Sequence, residues 1–155
     1  MKAVVPGFIR FFLLGALFFA VAALQQTPLV AAFGIKPNLV LAFLVALAFV
    51  VRRGAAYAVF LLFAVAVLLR QGTPVLAVLA LCLIALATFF CKRIVPWQTR
   101  LAAVVCASSA TVFFYLITGA SFVLAHPGVV GAELVYTGVM SWLGLLLFER
   151  ILRKT

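Results

Sequence analysis

Residues 36–54 read KPNLVLAFLVALAFVVRRG, an apolar run that is bracketed by basic residues. The fifteen residues from Pro37 to Val51 carry no charge, and Arg52-Arg53-Gly54 follows them as a very tight turn. An apolar stretch of this length between isolated charges predicts a helix near 36–52. Its composition is typical of a membrane protein, so the rest of the chain was divided in the same way.

The pattern repeats along the whole sequence. A helix rises 1.5 Å per residue, so about twenty residues cross a hydrocarbon core of roughly 30 Å. The shorter runs need snorkelling Lys or Arg side chains, or a partner helix that covers their ends. We predict an all-α, polytopic membrane protein with one domain over 1–155. The six predicted transmembrane helices lie near 8–25, 36–52, 54–70, 74–92, 100–125 and 130–151.

Composition excludes several classes of protein. Hydrophobic residues make up 69% of the 155 residues, against roughly 45–50% in soluble proteins. Only twelve Lys or Arg and two Glu are charged, which excludes a soluble enzyme and a disordered chain. The net charge of +10 is spread singly or in pairs between apolar runs. We therefore expect contact with anionic lipid and no binding of nucleic acid.

The loop charges predict the orientation. Ten of the twelve basic residues fall on one side of the six-helix arrangement, and only Lys36 and Arg70 fall on the other. By the positive-inside rule both termini are cytoplasmic. The first span also has features of a cleaved secretory signal, since Ala20-Val21-Ala22 resembles a cleavage site. We favour an uncleaved helix because the apolar run is longer than a usual signal core.

Few residues of the sequence could act in catalysis or bind a ligand. His126 and Glu133 form a candidate polar site on the outer face, where they could contact a substrate or a partner. Alternatively, Glu133 is an acid that the dipole at the start of the last helix stabilises. A single His and three unpaired Cys predict no metal site, and no catalytic residues or cofactor-binding motif are predicted.

The predicted fifth helix is the most polar one. Its hydroxyls recur on one face, where they can bond to neighbouring helices or line a small cavity: Ser108, Thr111, Tyr115 and Thr118. The first helix carries Ala16 and Ala20, a spacing of small residues that permits close approach of another helix. Glu149 precedes Arg153 by four residues, which predicts an ion pair within the last helix.

The order of features resembles a known family. Lys36-Pro37-Asn38-Leu39 begins the second helix, Arg52-Arg53-Gly54 ends it, and the third helix closes on residues 68–74, LLRQGTP. With a polar fifth helix and a basic end to the sixth, this resembles the rod-shape-determining protein MreD over about residues 30–152. Val67 stands where that family has an acidic residue, and Gln71 stands where it has a serine.

The resemblance implies a non-enzymatic scaffold in the bacterial inner membrane. Such proteins bind the bitopic protein MreC and help coordinate peptidoglycan synthesis with the MreB cytoskeleton during cell elongation. The resemblance also implies which residues shape the partner surface: Lys36, Pro37, Asn38, Arg70, Gln71 and Gly72. The fold of the family is similar to the substrate-binding subunits of energy-coupling-factor transporters. The alternative function is therefore a vitamin-binding membrane subunit.

Overall fold

The computed structural model describes residues 7–25, 27, 38–92 and 99–152, and these residues form six α-helices and no strand. Each predicted helix end lies within three residues of the observed one, and the all-α class is confirmed. The helices are α1 (Gly7–Gln25), α2 (Leu39–Val50), α3 (Gly54–Arg70), α4 (Val75–Cys91), α5 (Thr99–Ala125) and α6 (Pro127–Leu152).

The turn between α3 and α4 ends one helix and begins the next. Gly72 has a φ of +77°, a conformation that side chains with a Cβ rarely adopt. Its N–H donates to the Leu69 carbonyl, and the Thr73 N–H donates to the Leu68 carbonyl, both at 3.1 Å. This is the Schellman arrangement that closes a helix. Pro74 is the N-cap of α4, so the same short turn ends α3 and begins α4.

The largest differences from prediction are the starts of α2 and α6. The start of α2 was predicted near 36, whereas Asn38 caps a helix that begins at Leu39. The start of α6 was predicted near 130, whereas the helix begins at Pro127 and only His126 separates it from α5. Proline fits the first helical position, since its missing N–H would have no partner within the helix.

Helix α2 lies at the centre of the bundle and contacts each of the other five helices. All ten residues from Leu39 to Ala48 are buried. Helices that are apolar on every face are typically buried, and α2 presents no polar side to solvent. The central helix is therefore the apolar run that the sequence brackets with basic residues.

Consecutive helices alternate in direction, so the bundle has two ends. At the Asn38 end, α1, α3 and α5 finish and α2, α4 and α6 begin. The contacts of Gln71 with Ala22 and of Asn38 with Thr137 lie at this end. At the opposite end, which we call the Lys92 end, Lys92 bonds to the last turn of α2 and Arg100 pairs with Glu149.

The outer surface of the bundle is apolar. Large hydrophobic side chains are exposed on several helices, including Phe12, Leu62, Leu83, Leu124 and Val135. Two stretches, Arg100–Ala125 and Pro127–Ile151, are long and apolar enough to cross a membrane, and the remaining helices are shorter apolar segments. An apolar surface of this extent indicates association with a membrane.

Candidate functional site

Glu133 is buried between α5 and α6 near the Asn38 end. Its side chain is 7% exposed, and the Tyr115 hydroxyl of α5 donates a hydrogen bond to its carboxylate. Since α6 begins at Pro127, Glu133 lies in the second turn, and the first turn of α6 holds no acidic residue. The alternative interpretation of Glu133 as an acid at the helix N-terminus is therefore wrong.

Two more polar residues continue the same face of α6 into the bundle. Thr137 and Ser141 follow Glu133 at intervals of four residues, and both are fully buried. The Asn38 N–H donates to the Thr137 hydroxyl at 3.4 Å, which joins the start of α2 to this face. The Ser141 hydroxyl has no hydrogen-bond partner in the part of the chain that the structure describes. We call Glu133, Thr137 and Ser141 the α6 polar face.

His126 connects to Glu133 through a series of aromatic ring contacts. The His126 ring lies 5.1 Å from that of Phe122, and Phe122 stacks on Tyr115 with centroids 5.7 Å apart. Tyr115 then bonds to Glu133. The two residues of the predicted outer-face site are thus at the same end of the bundle. His126 is exposed at the surface and Glu133 is enclosed.

The residues of the predicted partner surface separate into two groups. Asn38 accepts a hydrogen bond from the Leu41 N–H at 3.1 Å, and Gln71 donates to the Ala22 carbonyl at 3.5 Å, so both act in helix packing. Arg70 and Gly72 are exposed at the end of α3. Lys36 and Pro37, also predicted for this surface, lie outside the described residues.

The polar residues of α5 divide between two kinds of bond. Ser108 and Tyr115 reach α6, where they donate to the Leu134 carbonyl and to Glu133. Thr111 and Thr118 donate to carbonyls one turn earlier in α5, those of Ala107 and Phe114. The predicted bonding of this face to a neighbouring helix is therefore confirmed for two of its four hydroxyls.

Two side chains form hydrogen bonds to the backbone at the ends of α2, and the sequence did not predict these bonds. Gln25, at the end of α1, accepts a hydrogen bond from the Val40 N–H at 2.9 Å. Lys92 donates to the Val51 carbonyl at 2.7 Å and to the Ala48 carbonyl. These bonds join residues fifteen or more positions apart, so local sequence patterns do not reveal them. The spacing of Glu133, Thr137 and Ser141, in contrast, was visible in the sequence.

A surface groove separates α1 from α3. Its volume is about 410 Å³, with Gly15 and Ala16 between walls of aromatic and branched side chains. Phe12, Phe19 and Val59 on these walls are about half or more exposed. A second groove of the same volume lies between α4 and α5, where Cys91 and Cys106 are among the lining residues.

No family model, curated protein or solved structure matches the chain. Among the residues that the structure describes, no three His, Cys, Asp or Glu side chains lie together as a metal site would require. Two features of the described residues indicate a function. One is the buried carboxylate of Glu133, and the other is the α1–α3 groove.

Proposed function

We propose that the chain is a non-enzymatic, multi-pass scaffold of the bacterial inner membrane, similar to MreD. In this proposal it binds a bitopic, MreC-like partner and supports peptidoglycan synthesis during cell elongation. All six helices cross the bilayer, and the Lys92 end faces the cytoplasm together with both termini. The described basic side chains support this orientation, since Arg52, Arg53, Lys92, Arg100 and Arg150 belong to the Lys92 end.

The α1–α3 groove is the observation that carries the scaffold proposal. Its floor at Gly15 and Ala16 has little side-chain bulk, and no atom of another helix lies within 4 Å of the position that a Cβ on Gly15 would take. Helices associate in membranes where small residues let two backbones approach closely. The aromatic walls formed by Phe12, Phe19 and Phe63 offer packing surface on both sides of such a helix. A single transmembrane helix of the partner fits this shape.

The side-chain amides at the Asn38 end favour a scaffold over the alternative of a vitamin-binding subunit. A ligand site needs polar side chains that converge on a cavity. Here Gln25, Asn38 and Gln71 instead bond to the backbone of α1 and α2. Their hydrogen-bonding capacity is directed to helix ends rather than to a ligand.

Affinity capture from native membranes tests the proposal. The wild-type protein is expected to retain an MreC-like protein with one transmembrane segment. Ala16→Leu fills the groove and is expected to reduce this retention about tenfold, which corresponds to about 1.4 kcal/mol of lost association energy. Ala66→Leu is the matched control, because Ala66 is exposed on α3 and does not line the groove.

Two outcomes would contradict the proposal. If an energy-coupling module is retained instead of a cell-wall synthesis protein, the chain is a transporter subunit. If Ala16→Leu and Ala66→Leu retain the MreC-like protein equally well, the groove is not the docking surface.

A further inference from the structure

The two acidic residues of the chain have opposite surroundings. Glu149 lies at the Lys92 end, where its carboxylate is 3.5 Å from the Arg100 guanidinium. Arg153, the predicted partner of Glu149, lies outside the described residues. Glu133 is enclosed between α5 and α6, and its described hydrogen bond comes from the neutral hydroxyl of Tyr115. Only one acid therefore has a basic partner within the described chain.

An ionised carboxylate that is buried between two helices is unfavourable unless a positive charge lies beside it. Transfer of an isolated charged group into an apolar interior carries a large desolvation penalty, and ionisable residues inside membrane segments usually have a functional partner. The helices packed against α6 are α5, α2 and α1. Among the described residues of these helices, the Tyr115 hydroxyl, the Asn38 amide and Gln25 form hydrogen bonds at this end, and all three are uncharged; Lys36 lies outside the described residues. Beyond Tyr115, the titratable rings described at this end include Tyr136, three residues after Glu133 on α6, and His126, whose ring contacts that of Phe122.

The polar groups described beside Glu133 offer oxygen atoms. Glu133 and Tyr115 contribute a carboxylate and a phenolic oxygen in direct contact. Thr137 adds a buried hydroxyl on the next turn of α6. Hard oxygen donors of this kind suit protons and alkali ions rather than soft metals.

We propose that Glu133 is the centre of a buried site for a small monovalent cation, a proton or an alkali ion, with Tyr115 in contact and Thr137 on the next turn of α6. The cation neutralises the carboxylate and lets it stay between α5 and α6. The site does not depend on which partner occupies the α1–α3 groove, so the two proposals can fail separately.

Labelling with dicyclohexylcarbodiimide, a hydrophobic reagent for protonated carboxyl groups, tests the site in the full-length protein. In a sodium-free buffer at neutral pH, we expect one adduct per chain, which peptide mapping assigns to Glu133. Glu133→Gln is expected to lose the adduct. Glu149→Gln is the matched control and is expected to keep it, because Glu149 is the ion-paired acid. Sodium chloride, compared with choline chloride, distinguishes the two cations: protection by sodium indicates an alkali ion, and unchanged labelling indicates a proton.

A second measurement, of thermal stability, tests the case in which Glu133 is ionised and does not react with the carbodiimide. If an alkali ion occupies the site continuously, sodium is expected to raise the melting temperature of the wild-type protein relative to choline, and Glu133→Gln is expected to lose this shift. The proposal is overturned if Glu133 is neither labelled at neutral pH nor stabilised by sodium. It is also overturned if Lys36→Gln abolishes the adduct or the sodium shift as Glu133→Gln does, since the chain's own lysine would then supply the charge.

Discussion

Replacing Lys92 by Met tests how the central helix is held at its C-terminal end. The ammonium group of Lys92 donates to the carbonyls of Ala48 and Val51, which belong to the last turn and the C-cap of α2. It also lies 4.1 Å from the centroid of the Phe89 ring. Methionine keeps much of the apolar stem, so the substitution removes the charge and the two donated bonds with little loss of packing.

The expected loss of stability follows from these contacts. A hydrogen bond to a charged group contributes about 1.5–3 kcal/mol, and a cation at a helix C-terminus contributes about 0.3–1 kcal/mol more. The two bonds share one donor and are not additive, so we expect a total loss of about 2–3 kcal/mol. For a chain of this size each kcal/mol lowers the melting temperature by about 2–4 °C, which predicts a fall of about 4–12 °C.

Thermal unfolding in detergent, followed by far-ultraviolet circular dichroism, measures this fall. Arg53→Met is the matched control. Arg53 is an exposed base at the same end of the bundle, and its side chain makes no capping hydrogen bond to α3. Exposed substitutions of this kind usually change stability by about 0.5 kcal/mol or less. If Lys92→Met and Arg53→Met lower the melting temperature equally, Lys92 does not stabilise α2 and the reasoning is refuted.

Two further predictions concern the Asn38 end and the orientation. Asn38→Ala removes the acceptor of the Leu41 N–H and is expected to lower stability by about 1 kcal/mol in the same unfolding assay, whereas Asn38→Ser keeps a capping oxygen. Equal losses in the two variants would show that capping is not the cause. In a chain whose three cysteines are replaced by alanine, Thr73→Cys is expected to react with an impermeant thiol reagent added outside cells, and Gly54→Cys is expected to be protected. The reverse pattern would contradict the proposed orientation. Thr73 is preferred to Gly72, whose positive φ disfavours a side chain.

The helices could be predicted because their ends carry local signals. Isolated basic residues mark where an apolar run must stop, and Gly72 followed by Pro74 closes one helix and opens the next. These signals act over a few residues of sequence, so they remain readable without a tertiary structure. The start of α6 lies three residues before the predicted one, because a proline can mark a turn but also suits the first helical position, which Pro127 occupies here.

The arrangement of the helices could not be predicted in the same way. In a soluble protein, polar residues show which face of a helix is outside. Here Leu62 on the surface and Leu44 in the centre are equally apolar, so the sequence does not distinguish them. The position of α2 at the centre, and the depth of Glu133, therefore emerge only from the packing. Lys92 is a further example. In the sequence its charge indicates only the orientation of the helices, because the carbonyls that it bonds to in α2 are more than forty positions away.

The length of α2 explains why the polar residues lie where they do. Twelve helical residues extend about 18 Å, well short of a hydrocarbon layer of roughly 30 Å. If α2 crosses the bilayer as proposed, its ends lie below the interface, where water cannot bond to the exposed N–H and C=O groups. Gln25, Asn38 and Thr137 bond to N–H groups at one end, and Lys92 bonds to carbonyls at the other. Since Thr137 belongs to the same face as Glu133, the end of α2 and the proposed cation site share one polar layer. A change in the occupancy of that site is therefore expected to alter the capping of the central helix, which contacts all the others.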